Sequence, residues 1–156
     1  MAETVEVAPK TKPSWGLVLI RIAIGAFLVN AGWHKISEGV GDELVLGTKE
    51  AFAKAPEFVR TWGENVVLAH PAVFKNLITW GEFLGGIALL LGGLVRPAGL
   101  LLAFMFANFY FAGPEEAKYF VGLLSICCFA CFLSRAGRRL GADAVLEGKL
   151  PRWMTW

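Results

Sequence analysis

Ionisable side chains stand inside two stretches of this sequence that are otherwise apolar. Arg21 is the only charged residue in 15–32, and Glu82 is the only one in 77–95. A charge within an apolar segment of this length costs of order 3 kcal/mol on membrane-insertion scales, so each needs a structural or functional reason. A carboxylate such as Glu82 can relay protons or hold a polar headgroup, and it can equally act as a buried clamp that fixes helix register.

The polar residues nearest to Glu82 in predicted depth come from two other stretches. His34 and Lys35 close the first apolar stretch, and Asn108 and Tyr110 lie near the end of the third. With a helical rise of 1.5 Å per residue, all of them reach a depth comparable with Glu82. We therefore predict a pocket of these five residues, in which Glu82 or His34 exchanges a proton and Lys35 attracts an anion.

Arg21 is predicted to lie near the opposite membrane surface. It stands about 10 Å from the start of its helix, and the same helical rise separates it from Glu82 by about 10 Å along the membrane normal. This separation argues against a direct ion pair, whereas the length of the arginine side chain leaves one open. Arg96, at the end of the second apolar stretch, is typical of an interfacial anchor.

Three cysteines lie in the last apolar stretch, as Cys127-Cys128-x-x-Cys131. A C-x-x-C pair often indicates redox or metal chemistry. Here no His, Asp or Glu accompanies the cysteines, and a position inside a helix lacks the helix N-terminus that lowers a thiol pKa. Packing by small apolar side chains is the favoured interpretation. No metal site, phosphate loop or nucleotide fingerprint is present.

The composition defines the elements that position these residues. Of 156 residues, 56% are apolar and 18% are charged, and the net charge is +2. These values exclude a disordered chain, a coiled coil and a basic nucleic-acid binder. The apolar residues form blocks of membrane-spanning length. We predict one domain (1–156), an all-α integral membrane four-helix bundle with transmembrane helices at about 15–35, 75–95, 97–112 and 117–134, an extramembrane loop (36–74) and a C-terminal tail (135–156).

The basic residues predict the orientation of the bundle. Arg135, Arg138 and Arg139 follow the last span directly, which favours an N-in, C-in topology. The expected location is a bacterial-type inner (cell) membrane, which the chain crosses several times. Gly81-x-x-x-Gly85 predicts close packing of the second span against a neighbouring helix.

The long loop contains a segment with helical spacing. Phe52, Ala55, Val59 and Trp62 fall near one face of residues 48–62. We expect one or two short helices over the outer mouth of the bundle, with Thr48 as a helix cap. The alternative is an ordinary solvated loop.

Several motifs together resemble the DoxX/DoxD-like family of small four-helix membrane proteins. They are Arg21-Ile-Ala-Ile-Gly25, Gly32-Trp-His-Lys35, Gly81-Glu82-Phe-Leu-Gly85-Gly86, Arg96-Pro-Ala-Gly and Ser134-Arg-Ala-Gly-Arg-Arg-Leu-Gly-Ala-Asp143. The resemblance implies redox chemistry. DoxD-like members are subunits of thiosulfate:quinone oxidoreductase, and DoxX-like members associate with thiol and superoxide defence proteins. Arg21, Lys35, Glu82 and Arg96 match the family's recurrent polar positions.

Two functions follow as hypotheses. The first is a membrane redox subunit that binds a quinone without an intrinsic cofactor, with the electron carrier in a partner. Its catalytic residues are then Glu82 and His34, and its ligand-binding residues are Arg21, Lys35, Arg96, Asn108, Tyr110 and Trp80. The second is a non-catalytic accessory subunit of a larger membrane complex, and a small oligomeric transporter is a third, weaker alternative. The expected partners are the lipid bilayer and either other membrane or peripheral redox subunits or further copies of the chain, with no nucleic acid.

Overall fold

The computed structural model describes residues 14–39, 42–134, 136–138, 140–146, 149 and 151. This part of the chain is helical and contains no β-strand. The helices are α1 (Trp15–Ser37), α2 (Asp42–Lys54), α3 (Glu57–Trp62), α4 (Pro71–Leu91), α5 (Val95–Ala112), α6 (Glu115–Leu133) and α7 (Asp143–Leu146). Helices α1, α4, α5 and α6 are long and apolar enough to cross a membrane. The predicted all-α four-helix membrane bundle is confirmed.

The four spans form an up-and-down bundle. Helix α1 packs closely against α4, and α5 packs closely against α6, whereas α4 and α5 are in looser contact. We call the end where α1 finishes and α4 begins the loop end, and the end where α4 finishes and α5 begins the terminal end. The N-in, C-in orientation of these ends stays a prediction, and Arg135 and Arg139 lie outside the described residues.

Glycines allow α1 and α4 to approach each other closely. A Cβ atom on Gly25 would lie 2.5 Å from the backbone nitrogen of Leu90, and one on Gly86 would lie 2.7 Å from that of Val29. Lipid tails are as apolar as the helices, so the hydrophobic effect does not drive helices together within a membrane. Close van der Waals packing holds them instead, and small residues let the backbones come near enough for it. The two backbones are therefore in direct contact near the middle of the membrane.

The predicted Gly81-x-x-x-Gly85 contact is a weaker one than expected. A Cβ on Gly81 would meet only the sulfur of Met105 at 3.6 Å, and one on Gly85 would meet the side chain of Leu102 at 3.0 Å. Both glycines therefore face side chains of α5 and not its backbone. The close backbone approach uses Gly86 instead, which lies one residue further along α4 and therefore on its α1-facing side.

Helix α4 begins and ends earlier than the predicted span of about 75–95. Pro71 occupies its first turn, where a missing N–H costs nothing. At the other end Gly92 has φ +68°, and the Gly93 N–H donates to the Ala88 carbonyl at 3.0 Å. This is a Schellman motif, which closes the helix with a left-handed glycine.

The N-terminus of α5 is capped by a residue of the C-terminal segment. Leu94, at the N-cap position, makes no side-chain cap and has φ 56°. Its backbone N–H donates to Asp143 Oδ1 at 2.7 Å, and the Val95 N–H donates to Asp143 Oδ2 at 3.2 Å. The Asp143 N–H in turn donates to the Gly92 carbonyl at 2.8 Å. A carboxylate at a helix N-terminus satisfies unpaired donors and complements the helix dipole.

Two short helices lie in the connection between α1 and α4, as expected. Phe52 of α2 and Val59 of α3 are buried, and the Phe58 ring contacts Phe111 at the end of α5. The predicted continuous spacing over 48–62 is interrupted at Pro56, which cannot continue α2 but can precede α3. Thr48 lies inside α2 and is not its N-cap, so that prediction is wrong.

The three cysteines are free and belong to the core between the spans. Cys128 and Cys131 are fully buried, and Cys127 is half-buried. The described residues contain no group of three or more His, Cys, Asp or Glu side chains placed to hold a metal ion. The positions of the cysteines agree with a packing role.

The contact between α1 and α4 predicts that one of two glycine substitutions in α4 lowers the thermal unfolding midpoint and the other does not. Gly86→Ala forces a methyl group against the backbone of α1, and overpacking of this kind costs about 1–3 kcal/mol. Gly81→Ala is the matched control, because its methyl group meets only a flexible methionine. Thermal unfolding in detergent should show a lower midpoint for Gly86→Ala alone, and equal midpoints would contradict the packing described.

Candidate functional site

Glu82 lies on the face of α4 that packs against α1. Thr79, Glu82, Gly86 and Leu89 are the buried residues of α4, and they follow helical spacing. The Glu82 side chain is 5% exposed, and its carboxylate forms an ion pair with the ammonium of Lys35, which is 30% exposed. The close approach of the two helices therefore brings together the two opposite charges near the loop end.

A groove of about 990 Å³ separates α4 from α5 on the neighbouring face. It runs from α2 and the end of α3 to the start of α5, and nearly all of its lining is apolar. None of the four buried residues of α4 lines it, and its lining residues come mainly from α4 and α5. These include Lys75, Ile78, Gly81, Gly85 and Ala88 from α4, and Leu94, Pro97, Leu101, Met105 and Asn108 from the α5 side.

The polar side chains of the groove are concentrated at its loop end. Lys35, Thr48, Lys75 and Asn108 line it there, beside the indole of Trp80. One amide N–H of Asn108 donates to the Phe104 carbonyl at 2.7 Å, which fixes the orientation of the side chain. The groove is thus amphipathic along its length, with polar groups at one end and hydrocarbon at the other.

Lys35 joins the ion pair to the groove. Glu82 itself does not line the groove, because its stripe on α4 faces α1, whereas Lys35 both lines the groove and contacts Glu82. A ligand in the groove would therefore meet the ammonium directly and the carboxylate only through it.

Two predicted site residues lie outside this arrangement. His34 is exposed, and its Nδ1 lies 3.1 Å from Glu38 Oε1 one helical turn further on. Tyr110 is exposed and packs edge-on against Phe111, with ring centroids 5.2 Å apart. Neither residue lines the groove. Of the five residues predicted to share a pocket, Lys35 and Asn108 line the groove, and Glu82 is joined to it only through its ion pair with Lys35.

Arg21 and Arg96 lie at the terminal end, away from Glu82. Arg21 is fully buried, and its Nη2 donates to the Leu140 carbonyl at 2.9 Å. The alternative of an Arg21–Glu82 pair is therefore not realised. The Arg96 guanidinium lies 5.4 Å from the centre of the Phe132 ring, in the geometry of a cation–π contact.

Asp143 is a buried residue at the same end that the sequence analysis gave no role. It is 4% exposed and lies within electrostatic range of Arg21. Burial raises the pKa of the Asp143 carboxyl above its usual value, while its two backbone donors and Arg21 oppose that shift. No local sequence pattern indicates that Asp143, which lies 48 positions after Val95, caps the N-terminus of α5.

Lys75 is a further groove residue that was not predicted from the sequence. Lys75 lies in the first turns of α4 and lines the groove. The available signal was helical spacing, because Lys75, Ile78, Gly81 and Gly85 recur at three- and four-residue intervals on one face.

The fold and the groove define a multi-pass membrane protein in which a partly buried ion pair lies next to a groove between membrane-spanning helices. The chain belongs to the DoxX family, whose model matches residues 16–115, well over half of the chain. All predicted site residues fall within this range, whereas the quoted motif at 134–143 follows it. No match was found among curated proteins or among solved structures.

The ion pair predicts a specific pattern of stabilities. Lys35→Met leaves the Glu82 carboxylate buried without its partner and should lower the free energy of unfolding by about 3 kcal/mol. Replacing both residues, as Lys35→Met with Glu82→Leu, removes the unpaired charge and should recover most of that loss. Lys118→Met is the control, because its partner Glu115 is exposed and such pairs contribute about 1 kcal/mol or less. A double variant as unstable as Lys35→Met alone would contradict this account.

Proposed function

We propose that this DoxX-family protein is a membrane subunit of a redox system and that the groove between α4 and α5 binds an isoprenoid quinone. The observation that carries the proposal is the distribution of polarity along the groove. Lys35 and Asn108 stand at the loop end, and apolar side chains line the remainder. A quinone has the same division, with two carbonyl oxygens on its ring and a hydrocarbon tail.

The head of the quinone would be held by donors at the loop end. A lysine ammonium has three N–H donors, and one of those on Lys35 is directed at Glu82. The others can donate to a quinone carbonyl oxygen, and a charge-assisted hydrogen bond of this kind is among the stronger ones in proteins. The indole of Trp80 and the ring of Phe109 supply flat apolar walls for the quinone ring.

Reduction of the quinone to quinol requires two electrons and two protons. In this proposal the electrons come from a partner redox subunit, whose donor is an anionic sulfur compound such as thiosulfate. Lys35 donates a proton to the reduced ring oxygen to which it is hydrogen-bonded. Glu82 takes up a proton from water at the loop end and passes it to the neutral Lys35 amine. The pair delivers the two protons one after the other in this way, and both come from water.

Substitutions of the ion pair test quinone binding separately from folding. The Lys35→Met, Glu82→Leu double variant removes the donor at the head while avoiding an unpaired charge. Loss of a hydrogen bond from a charged group should weaken quinone binding in lipid nanodiscs about tenfold or more.

Glu82→Gln should still bind quinone but abolish thiosulfate-dependent quinone reduction in membranes, whereas the exposed Glu38→Gln control should leave both unchanged. Unaltered binding by the double variant would overturn the proposal.

An accessory role in a larger membrane complex is the second candidate. Helices α2 and α3 cover the loop end and expose charges of both signs, including Lys49, Lys54, Glu57 and Arg60. Charges of this kind can guide the docking of a peripheral subunit that carries complementary charges.

This second candidate predicts that the protein co-purifies with a large complex in mild detergent. Reversing two exposed charges, as in Lys54→Glu with Arg60→Glu, should release the partner because like charges then face each other. The isolated protein should bind no quinone. A stable isolated oligomer that binds quinone would decide for the first candidate.

A further inference from the structure

One residue that lines the terminal end of the groove is in a strained conformation. Leu94 is the lining residue nearest to the turn between α4 and α5, and its φ is 56°. A non-glycine residue in this left-handed region is uncommon, and it persists only where its surroundings hold it. The surroundings of Leu94 therefore hold this lining residue in its position.

The C-terminal segment holds Leu94 in place. The Leu94 N–H donates to Asp143 Oδ1 at 2.7 Å, and the Ala142 N–H donates to the Leu91 carbonyl at 3.1 Å. Residues 140–146 are thus fastened to the turn at Leu91 and at Leu94. A fully buried guanidinium, that of Arg21, fastens the same segment to α1 through the Leu140 carbonyl.

Leu140 is the second residue held in a strained conformation at this end. Its φ is 52°, and among the described residues it shares positive φ outside glycine only with Leu94. Each of the two leucines is held through a backbone hydrogen bond to a buried charged side chain. The strain therefore falls at the contacts between the C-terminal segment and the bundle.

We infer that the C-terminal segment sets the length of hydrocarbon tail that the groove accepts, with Leu94 as the stop and Asp143 as the residue that positions it. The inference rests on the proposed function and specifies its ligand. Leu94 and Asn108 are separated by fourteen residues, which corresponds to about 21 Å at the helical rise of 1.5 Å per residue. A tail within that length lies wholly in the groove, and a longer one meets Leu94 and must leave toward the lipid.

Glycines at the terminal end agree with this positioning role. A Cβ on Gly141 would lie 2.7 Å from Arg21 Nη1 and a similar distance from the Gly92 carbonyl oxygen. The segment therefore lies against the turn at a distance that only a residue without a side chain permits. Its position relative to Leu94 is consequently fixed by packing as well as by hydrogen bonds.

The test compares quinones with no tail, with a short isoprenoid tail and with a long one, each binding to the full chain in lipid nanodiscs. Leu94→Ala removes the stop and should tighten binding of the long-tailed quinone about tenfold relative to the short-tailed one. A factor of about ten is the lower end of the discrimination that a small change in an apolar pocket produces. Leu91→Ala is the matched control, because Leu91 lies at the same end and is exposed outside the groove. Its selectivity should equal that of the wild type.

Asp143 variants test the positioning step. Asp143→Ala should lose the discrimination between tails, whereas Asp143→Asn keeps an acceptor for the Leu94 N–H and should retain most of it. The exposed Glu116→Ala is the control for loss of charge. A purely structural role for Asp143 would weaken binding of all three quinones equally, and that result would overturn the inference.

The outcomes separate the inference from the proposed function. If the wild type binds quinones and the tail preference is the same in Leu94→Ala, the inference is overturned and the proposed function stands. If the wild type binds none of the three quinones, both are overturned.

Discussion

The close approach of α1 and α4 is the constraint on which the rest of the structure depends. Gly25 and Gly86 bring the two backbones into contact, and this contact fixes the rotation of α4 about its axis. Once the rotation is fixed, Glu82 faces α1 and meets Lys35, while the neighbouring stripe of α4 faces α5. The looser contact between α4 and α5 then leaves a groove instead of a packed interface.

The two ends of the bundle handle buried charge differently. At the loop end one carboxylate and one ammonium neutralise each other, and the ammonium remains accessible from the groove. At the terminal end Arg21 donates to the Leu140 carbonyl, Asp143 accepts from the Leu94 and Val95 N–H groups, and the two opposite charges lie within electrostatic range of each other. Hydrogen bonds to backbone groups and a nearby opposite charge both lower the cost of burying a charge. The first arrangement is suited to a ligand, and the second fastens the chain's C-terminal segment.

Much of the fold was predictable because membrane-spanning helices carry a strong sequence signal. Uninterrupted apolar stretches of sufficient length have few alternatives in a bilayer, where backbone hydrogen bonds must be satisfied within the segment. The separation of Arg21 and Glu82 followed from the helical rise alone. The boundaries of α4 were less predictable, since the Gly92 Schellman motif ends the helix within a stretch that is apolar on both sides.

The sequence by itself therefore determined the number of spans, their antiparallel order and the relative depths of Arg21 and Glu82, because these follow from residue type and a fixed rise per residue. The tertiary structure decided which charges meet and where the groove lies. A shift of one residue turns a helix face by about 100°, so Glu82 and Gly81 face different neighbours although they are adjacent in sequence. Only packing fixes that rotation, and only packing brings Asp143 to the start of α5.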